Sequence, residues 1–163
     1  MRSRIGMADH IQGPGSSGRT VQQGWRSHWT RRNVTAAALL VYASTFLWMT
    51  AAFAGTTKPP GGAAWALANA GALASLVLFT LAAWGVFKSR PWWERAAAAG
   101  AVVGLAALVP YGIGASSTGV SGPGLNSAIH IAGSAAVLLV VLVPALERRL
   151  QRWLSGGARP RKR

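Results

Sequence analysis

Residues 96–146 read AAAAGAVVGLAALVPYGIGASSTGVSGPGLNSAIHIAGSAAVLLVVLVPAL and contain no Asp, Glu, Lys or Arg. A helix needs about 20 apolar residues to cross the hydrocarbon core of a bilayer, so this stretch is long enough for two crossings. Residues 116–124, SSTGVSGPG, divide it with the clustered Ser, Gly and Pro that are typical of turns. The stretch therefore predicts two membrane spans, at 96–115 and 125–146.

Two shorter uncharged stretches precede this one, and Lys58 separates them. They predict two further spans, at 33–55 and 63–87. The helices of a soluble bundle need a polar face for water, and four uncharged stretches leave no such face. The fold class that we expect is therefore an all-α membrane protein, a bundle of four transmembrane helices.

The composition of the chain agrees with a membrane protein and excludes several classes of site. Of the 163 residues, 51% are hydrophobic and 12% are charged, whereas soluble domains carry about 25% charged residues. The chain has no cysteine. This excludes a disulfide scaffold, a cysteine nucleophile and a thiolate zinc site.

The charges that do occur are strongly one-sided. The chain has 17 Lys and Arg residues against three Asp and Glu. Sixteen of the 17 cations precede the first span, lie between the second and third spans, or follow the fourth, and Lys58 lies on the other side. Loops rich in Lys and Arg stay in the cytoplasm. We therefore predict a multi-pass protein of the cell inner (plasma) membrane with both termini cytoplasmic.

The chain divides into three parts in this interpretation. Residues 1–32 are expected to form a disordered basic cytoplasmic arm with a short interfacial segment. Residues 33–154 form the transmembrane domain, and the last helix continues past residue 146 as far as 154. Residues 155–163 form a basic cytoplasmic tail.

Aromatic and basic residues cluster at the predicted cytoplasmic boundary, where tryptophan rings favour the interface. The residues expected to anchor the protein there are Trp25, Trp29, Trp92, Trp93, Trp153, Arg148 and Arg149. Cations beside a membrane attract anionic lipids. We therefore expect the basic segments to contact anionic lipids at the cytoplasmic face, and not nucleic acid.

His130 is the one histidine within the predicted spans, which also contain no Asp, Glu, Lys or Arg. Asn126 and Ser134 lie four residues before and after it, so the three share a helix face. Asn69 and Tyr111 lie at a similar depth in other spans. These five residues predict a small polar pocket that opens outward. Alternatively, they form hydrogen bonds between helices that stabilise packing.

Cofactor chemistry finds little support in this pattern. A haem in a membrane bundle commonly takes two histidine ligands from facing helices, and the spans supply one. Neither a His and carboxylate cluster nor an acid near His130 is evident. We therefore expect no cofactor, no metal and no catalytic residues.

Gly100 and Gly104 form a G-x-x-x-G motif in the third span. Small residues at this spacing let helix backbones approach closely. We expect this pair to serve packing within the chain rather than a dimer contact.

The last span pairs Ile129-His130-Ile131 near its outer end with Leu142-Val143-Pro144-Ala145-Leu146 before basic residues. In this pattern the chain resembles uncharacterised four-span integral membrane protein families of actinobacteria. The resemblance covers residues 33–150 and implies a four-span fold without implying an activity.

Three functions are compatible with these observations. The first is a non-enzymatic accessory or scaffold protein that acts through helix–helix contacts with a membrane protein partner or as a homo-oligomer. The second is a small-molecule binder or carrier that uses the outward-facing pocket around His130. The third is an integral membrane enzyme acting on a lipid or a quinone, which lacks an evident acid or nucleophile pair.

Overall fold

The computed structural model describes residues 30–120 and 123–155 and is helical, with no strand among those residues. The helices in chain order are α1 (Arg31–Thr45), α2 (Gly62–Phe87), α3 (Trp93–Thr118), α4 (Pro123–Leu142) and α5 (Pro144–Leu154). Helix α1 continues directly into a short 3-10 turn at Phe46–Met49.

Three of these helices, α2, α3 and α4, are long and apolar enough to cross a membrane. They correspond to the predicted spans at 63–87, 96–115 and 125–146. The first predicted span, 33–55, is helical only as far as Met49. There Thr50 adopts an extended conformation (φ −87°, ψ 152°), and its carbonyl accepts hydrogen bonds from the N–H groups of Phe53 and Ala54. The chain therefore turns before it reaches Gly55.

The helices pack with small residues inside and large residues outside. Interior positions of α2 and α3 hold residues such as Ala72 and Ala101, which are buried, while Leu67 and Val109 are 63% and 68% exposed. Soluble proteins place their large aliphatic side chains inside. In lipid, large apolar side chains remain on the protein surface without cost, and small residues inside bring the helix backbones close together. This arrangement is that of a membrane protein.

Gly104 and Gly100 both lie on the inner face of α3. A Cβ atom at Gly104 would lie 2.6 Å from Cε1 of Phe46, and one at Gly100 would lie 3.1 Å from Cδ2 of Phe79. Both phenylalanine rings are fully buried. The G-x-x-x-G pair therefore makes room for two rings of the same chain.

Two prolines have different effects on their helices. Pro110 lies inside α3, which continues to Thr118 and ends at Gly119 in the left-handed conformation (φ 67°). Pro144 begins a new helix, because the residue before a proline is driven out of the helical region. Val143 accordingly has φ −93° and ψ 108°. The expectation of one continuous helix to residue 154 is therefore wrong.

Helix α5 folds back against the starts of α1 and α3. Arg31 Nη1 donates to the carbonyl oxygen of Trp153 at 3.2 Å, and Gln151 donates to the carboxylate of Glu94. Leu150 and Leu154 are partly buried against the core. We call this end of the bundle the basic end. At the opposite end, the Lys58 end, the Lys58 N–H donates to Thr118 O at 3.2 Å.

Replacement of Gly104 by alanine tests the close packing of α3. We expect Gly104→Ala to lower the free energy of unfolding by about 1–3 kcal/mol, the usual cost of overpacking, because the buried Phe46 ring has no room to move. The measurement is thermal unfolding in detergent. Gly112→Ala is the matched control, since a Cβ atom there meets nothing within 4 Å. Equal stability of the two variants would contradict this packing.

Candidate functional site

Polar side chains of the first and last long helices meet inside the bundle. They form a row that we call the polar seam: Tyr42 and Thr45 from α1, and Asn126, His130 and Ser134 from α4. The two α4 neighbours of His130 are those that the sequence placed on its helix face. The α1 partners were not predicted.

His130 is fully buried, and both of its ring nitrogens face oxygen atoms of the chain. Nδ1 lies 2.7 Å from the carbonyl oxygen of Asn126, and Nε2 lies 3.4 Å from Thr45 Oγ1. A carbonyl oxygen only accepts, so the proton of a neutral ring belongs on Nδ1. The ring also meets Phe46 edge to face, with centroids 4.5 Å apart. His130 therefore joins helices from a closed position.

Tyr42 holds α1 against α4. Its hydroxyl donates to the His130 carbonyl oxygen at 3.1 Å and lies 2.9 Å from Ser134 Oγ. The ring lies over Gly133, where a Cβ atom would be 2.2 Å from Tyr42 Cε2. A signal for this role existed in the sequence. Tyr42 is one of two tyrosines, and Thr45 and Phe46 follow it at the spacing of one helix face.

Asn126 belongs to the polar seam and also lines a cavity at the Lys58 end. Its Nδ2 donates to Tyr111 Oη at 3.0 Å and to the Trp48 carbonyl oxygen at 3.3 Å. The cavity has a volume of about 320 Å³, and its lining is mostly apolar. Among the described residues, Asn126 Oδ1 has no hydrogen-bond partner.

His130 is not among the residues that line this cavity. The cavity therefore lies about one helical turn away from the residue around which the sequence predicted a polar pocket. The reason is that Phe46 and Tyr42 cover the imidazole ring from the α1 side.

Asn69 takes no part in the polar seam or in the lining of this cavity. Its Oδ1 accepts the Ala51 N–H at 2.8 Å, where the chain turns after the first helix. Its place on α2 thus serves the loop that ends the first helical segment.

The residues expected to anchor the protein divide into three groups. Trp92 and Trp153 are 39% and 41% exposed, and the guanidinium group of Arg31 lies 5.6 Å from the centroid of the Trp153 ring. Arg148 and Arg149 are exposed on α5. The expectation that Trp93 lies at the membrane interface is corrected, because Trp93 is buried against Gly85. A Cβ atom at Gly85 would lie 2.6 Å from Trp93 Cβ. Trp25 and Trp29 lie outside the described residues.

The chemistry that this arrangement offers is hydrogen bonding by neutral groups. Within the described ranges, no three His, Cys, Asp or Glu side chains are grouped to hold a metal ion. The described carboxylates, Glu94 and Glu147, lie at the starts of α3 and α5, at the basic end.

Apolar helices packed around a buried polar seam define a helical integral membrane protein. Comparison with protein-family models, with curated proteins and with solved structures finds no match to this chain.

A double-mutant cycle on Tyr42→Phe and Ser134→Ala measures the hydrogen bond between Tyr42 of α1 and Ser134 of α4. We expect a coupling free energy of about 0.6 kcal/mol, the average for hydrogen bonds between membrane helices. The readout is the free energy of unfolding in detergent. Tyr42→Phe combined with Ser116→Ala is the control, because Ser116 is exposed near the end of α3 and bonds within its own helix, and changes without shared partners add. No coupling between Tyr42 and Ser134 would contradict the seam.

Proposed function

We propose that this chain is a four-span protein of the inner (plasma) membrane that acts, without catalysis, as an accessory or scaffold subunit through helix–helix contacts. The observation that carries the proposal is the scant burial of the last span. Within its most apolar window α4 is 11% buried, whereas α2 and α3 are 39% and 33% buried. A span that its own bundle covers so little has surface to offer to another helix.

The exposed face of α4 suits such a contact. Ala128, Ala132 and Ala135 are exposed along it and follow one another at intervals of four and three residues. Small residues at these intervals allow a neighbouring helix to approach closely, which is the main source of packing energy between helices in lipid. The partner is a second membrane protein or another copy of this chain.

A fourth crossing is supported by the length of the first helical segment. Helix α1 has 15 residues and the 3-10 turn adds four. At about 1.5 and 2.0 Å per residue they extend for roughly 30 Å, which matches the hydrocarbon thickness of a bilayer. Val34, Leu40 and Val41 are exposed on this segment, as a lipid-facing helix requires.

The distribution of charge supports cytoplasmic termini. Eight of the nine described cations belong to the basic end, and Lys58 belongs to the other. The cations of the basic end are Arg31, Arg32, Lys88, Arg90, Arg95, Arg148, Arg149 and Arg152. Under the positive-inside rule the basic end faces the cytoplasm.

The enclosure of His130 supports a function without catalysis. A general base needs a position within hydrogen-bond reach of its substrate, and this ring is fully buried with both nitrogens facing protein oxygens.

A second candidate function, binding of a small neutral molecule, is favoured by the cavity at the Lys58 end. Its volume of about 320 Å³ falls at the lower limit for small-molecule pockets, about 300 Å³. Asn126 Oδ1 can accept a hydrogen bond from a bound molecule, and the Tyr111 hydroxyl can donate one.

Native mass spectrometry of the chain in mild detergent tests the two candidates. We expect the wild type as a complex with another polypeptide or with itself, and we expect Ala132→Phe to reduce it to a bare protomer by blocking close approach. Val109→Phe is the control, since Val109 is exposed on α3. A bare wild-type protomer would contradict the accessory function. An additional stoichiometric small molecule, lost in Tyr111→Phe and kept in Tyr42→Phe, would favour the second candidate.

Single cysteines in this cysteine-free chain test the orientation. We expect Lys58→Cys to react with a membrane-impermeant maleimide on intact cells, because the Lys58 end faces outward. Arg149→Cys is expected to react only after the membrane is permeabilised. The reverse pattern would overturn the proposed topology.

A further inference from the structure

The basic end contains a cavity that neither candidate function uses. Its volume is about 190 Å³, and four of its lining side chains are polar: Arg32, Ser89, Arg90 and Gln151. We call it the basic cavity. Trp93 and Leu154 form part of its apolar wall. Two arginine residues therefore line one small space that has an apolar side.

The two arginines come from separate parts of the fold, and a side-chain hydrogen bond holds Arg32 in place. Arg32, near the start of α1, donates a hydrogen bond from Nη1 to Ser89 Oγ. Arg90 lies between α2 and α3, and its backbone N–H donates to Gly85 O at 2.8 Å. Packing of α1 against the α2–α3 loop thus brings like charges to one cavity. Such an arrangement favours an anion between them.

The backbone beside these arginines is strained. Ser89 has φ 56°, and among the described residues it is the one non-glycine with a positive φ. Strained backbone persists where surrounding contacts enforce it, and it is frequent at ligand sites. Here the strained residue supplies the hydroxyl group that meets Arg32.

An apolar crevice adjoins the basic cavity. Trp93 lines both spaces. The crevice has a volume of about 200 Å³, and its lining includes Leu39 of α1 and Val137 of α4. Leu150 of α5 lines the crevice, and Leu154, one helical turn further on, lines the basic cavity. A charged space and an apolar space therefore share one wall.

We propose that the basic cavity binds the phosphate of an anionic phospholipid, with one acyl chain in the adjoining crevice. Guanidinium groups bind phosphate oxygens with paired hydrogen bonds. The Ser89 hydroxyl accepts from Arg32 and has its own proton to donate, whereas the Gln151 amide already donates to Glu94. A free phosphate ion shares the headgroup chemistry, but the crevice has no role for it. Under the proposed orientation of the chain, this phospholipid belongs to the inner leaflet. The binding site itself is inferred from the lining residues alone and does not depend on the orientation.

The test uses the full chain in a nonionic detergent with three probes. These are phosphatidylglycerol, phosphatidylcholine with the same acyl chains, and inorganic phosphate. The readouts are retention of one lipid per protomer in native mass spectra and the shift of the thermal unfolding midpoint. We expect phosphatidylglycerol to be retained and to raise the midpoint, and the other two probes to have little effect.

Two variants that each remove two charges separate a site from general attraction. Arg32→Gln with Arg90→Gln empties the basic cavity of charge, and Arg148→Gln with Arg149→Gln removes exposed cations of α5. We expect the first pair to weaken phosphatidylglycerol retention about 100-fold, the factor that about 1.5 kcal/mol for each of two charge-assisted hydrogen bonds gives. The second pair is expected to weaken retention much less, because exposed cations attract the lipid only through the surface. If the first pair fails to fold, Arg90→Gln alone, which keeps the bond from Arg32 to Ser89, is judged in the same way with a smaller loss.

Three results would overturn the proposal. Equal loss in both double variants would indicate attraction to the surface without a site. Equal effects of phosphatidylcholine would show that charge has no part in binding. Stabilisation by inorganic phosphate as large as that by phosphatidylglycerol would replace the lipid with a free anion. Because the assay takes place in detergent, a reversed orientation in cells would refute the proposed topology and leave this result intact.

Discussion

The hydrogen bonds that Tyr42 makes with the His130 carbonyl and with Ser134 join α1 to α4. Neighbours in sequence pack together in any bundle with short loops, but contact between helices that are far apart in the sequence requires side chains that reach across. Polar groups in the membrane interior are costly unless they are paired within the protein. The seam meets this requirement and closes the bundle in one register. Gly133 is needed for the same contact between α1 and α4, because any side chain there would displace the Tyr42 ring.

The placement of small residues inside and large aliphatic residues outside also follows from the lipid environment. The interior of α2 and α3 is built largely from alanine, glycine and a few aromatic rings, and many of their leucine and valine side chains face outward, although Val86 is buried. Short interhelical distances then depend on individual glycines. Gly71 illustrates this, since a Cβ atom there would lie 2.6 Å from Ala107 Cβ. The fold therefore depends on positions that have no side chain at least as much as on those that do.

The two ends of the bundle differ in chemistry. At the Lys58 end the cavity is neutral, with an amide and a phenol as its polar groups. At the basic end guanidinium groups line a cavity beside an apolar crevice. Helix α5 creates the second arrangement, because the break at Val143 lets it turn back over the starts of α1 and α3. A continuous last helix would have left Arg32 and Arg90 without the wall that Leu154 supplies.

The amino-acid sequence determined the helical membrane class, three long apolar helices and the uneven charge, because these depend on composition along the chain and on the length that a bilayer requires. It also indicated the polar face of α4. The tertiary structure decided what that face contacts. His130 is enclosed with both ring nitrogens facing oxygens of the chain, Trp93 is buried, and Asn126 links the seam to the cavity. These outcomes depend on which side chains of distant segments, such as Tyr42 and Phe46, come within bonding distance, and spacing within one helix carries no information about that.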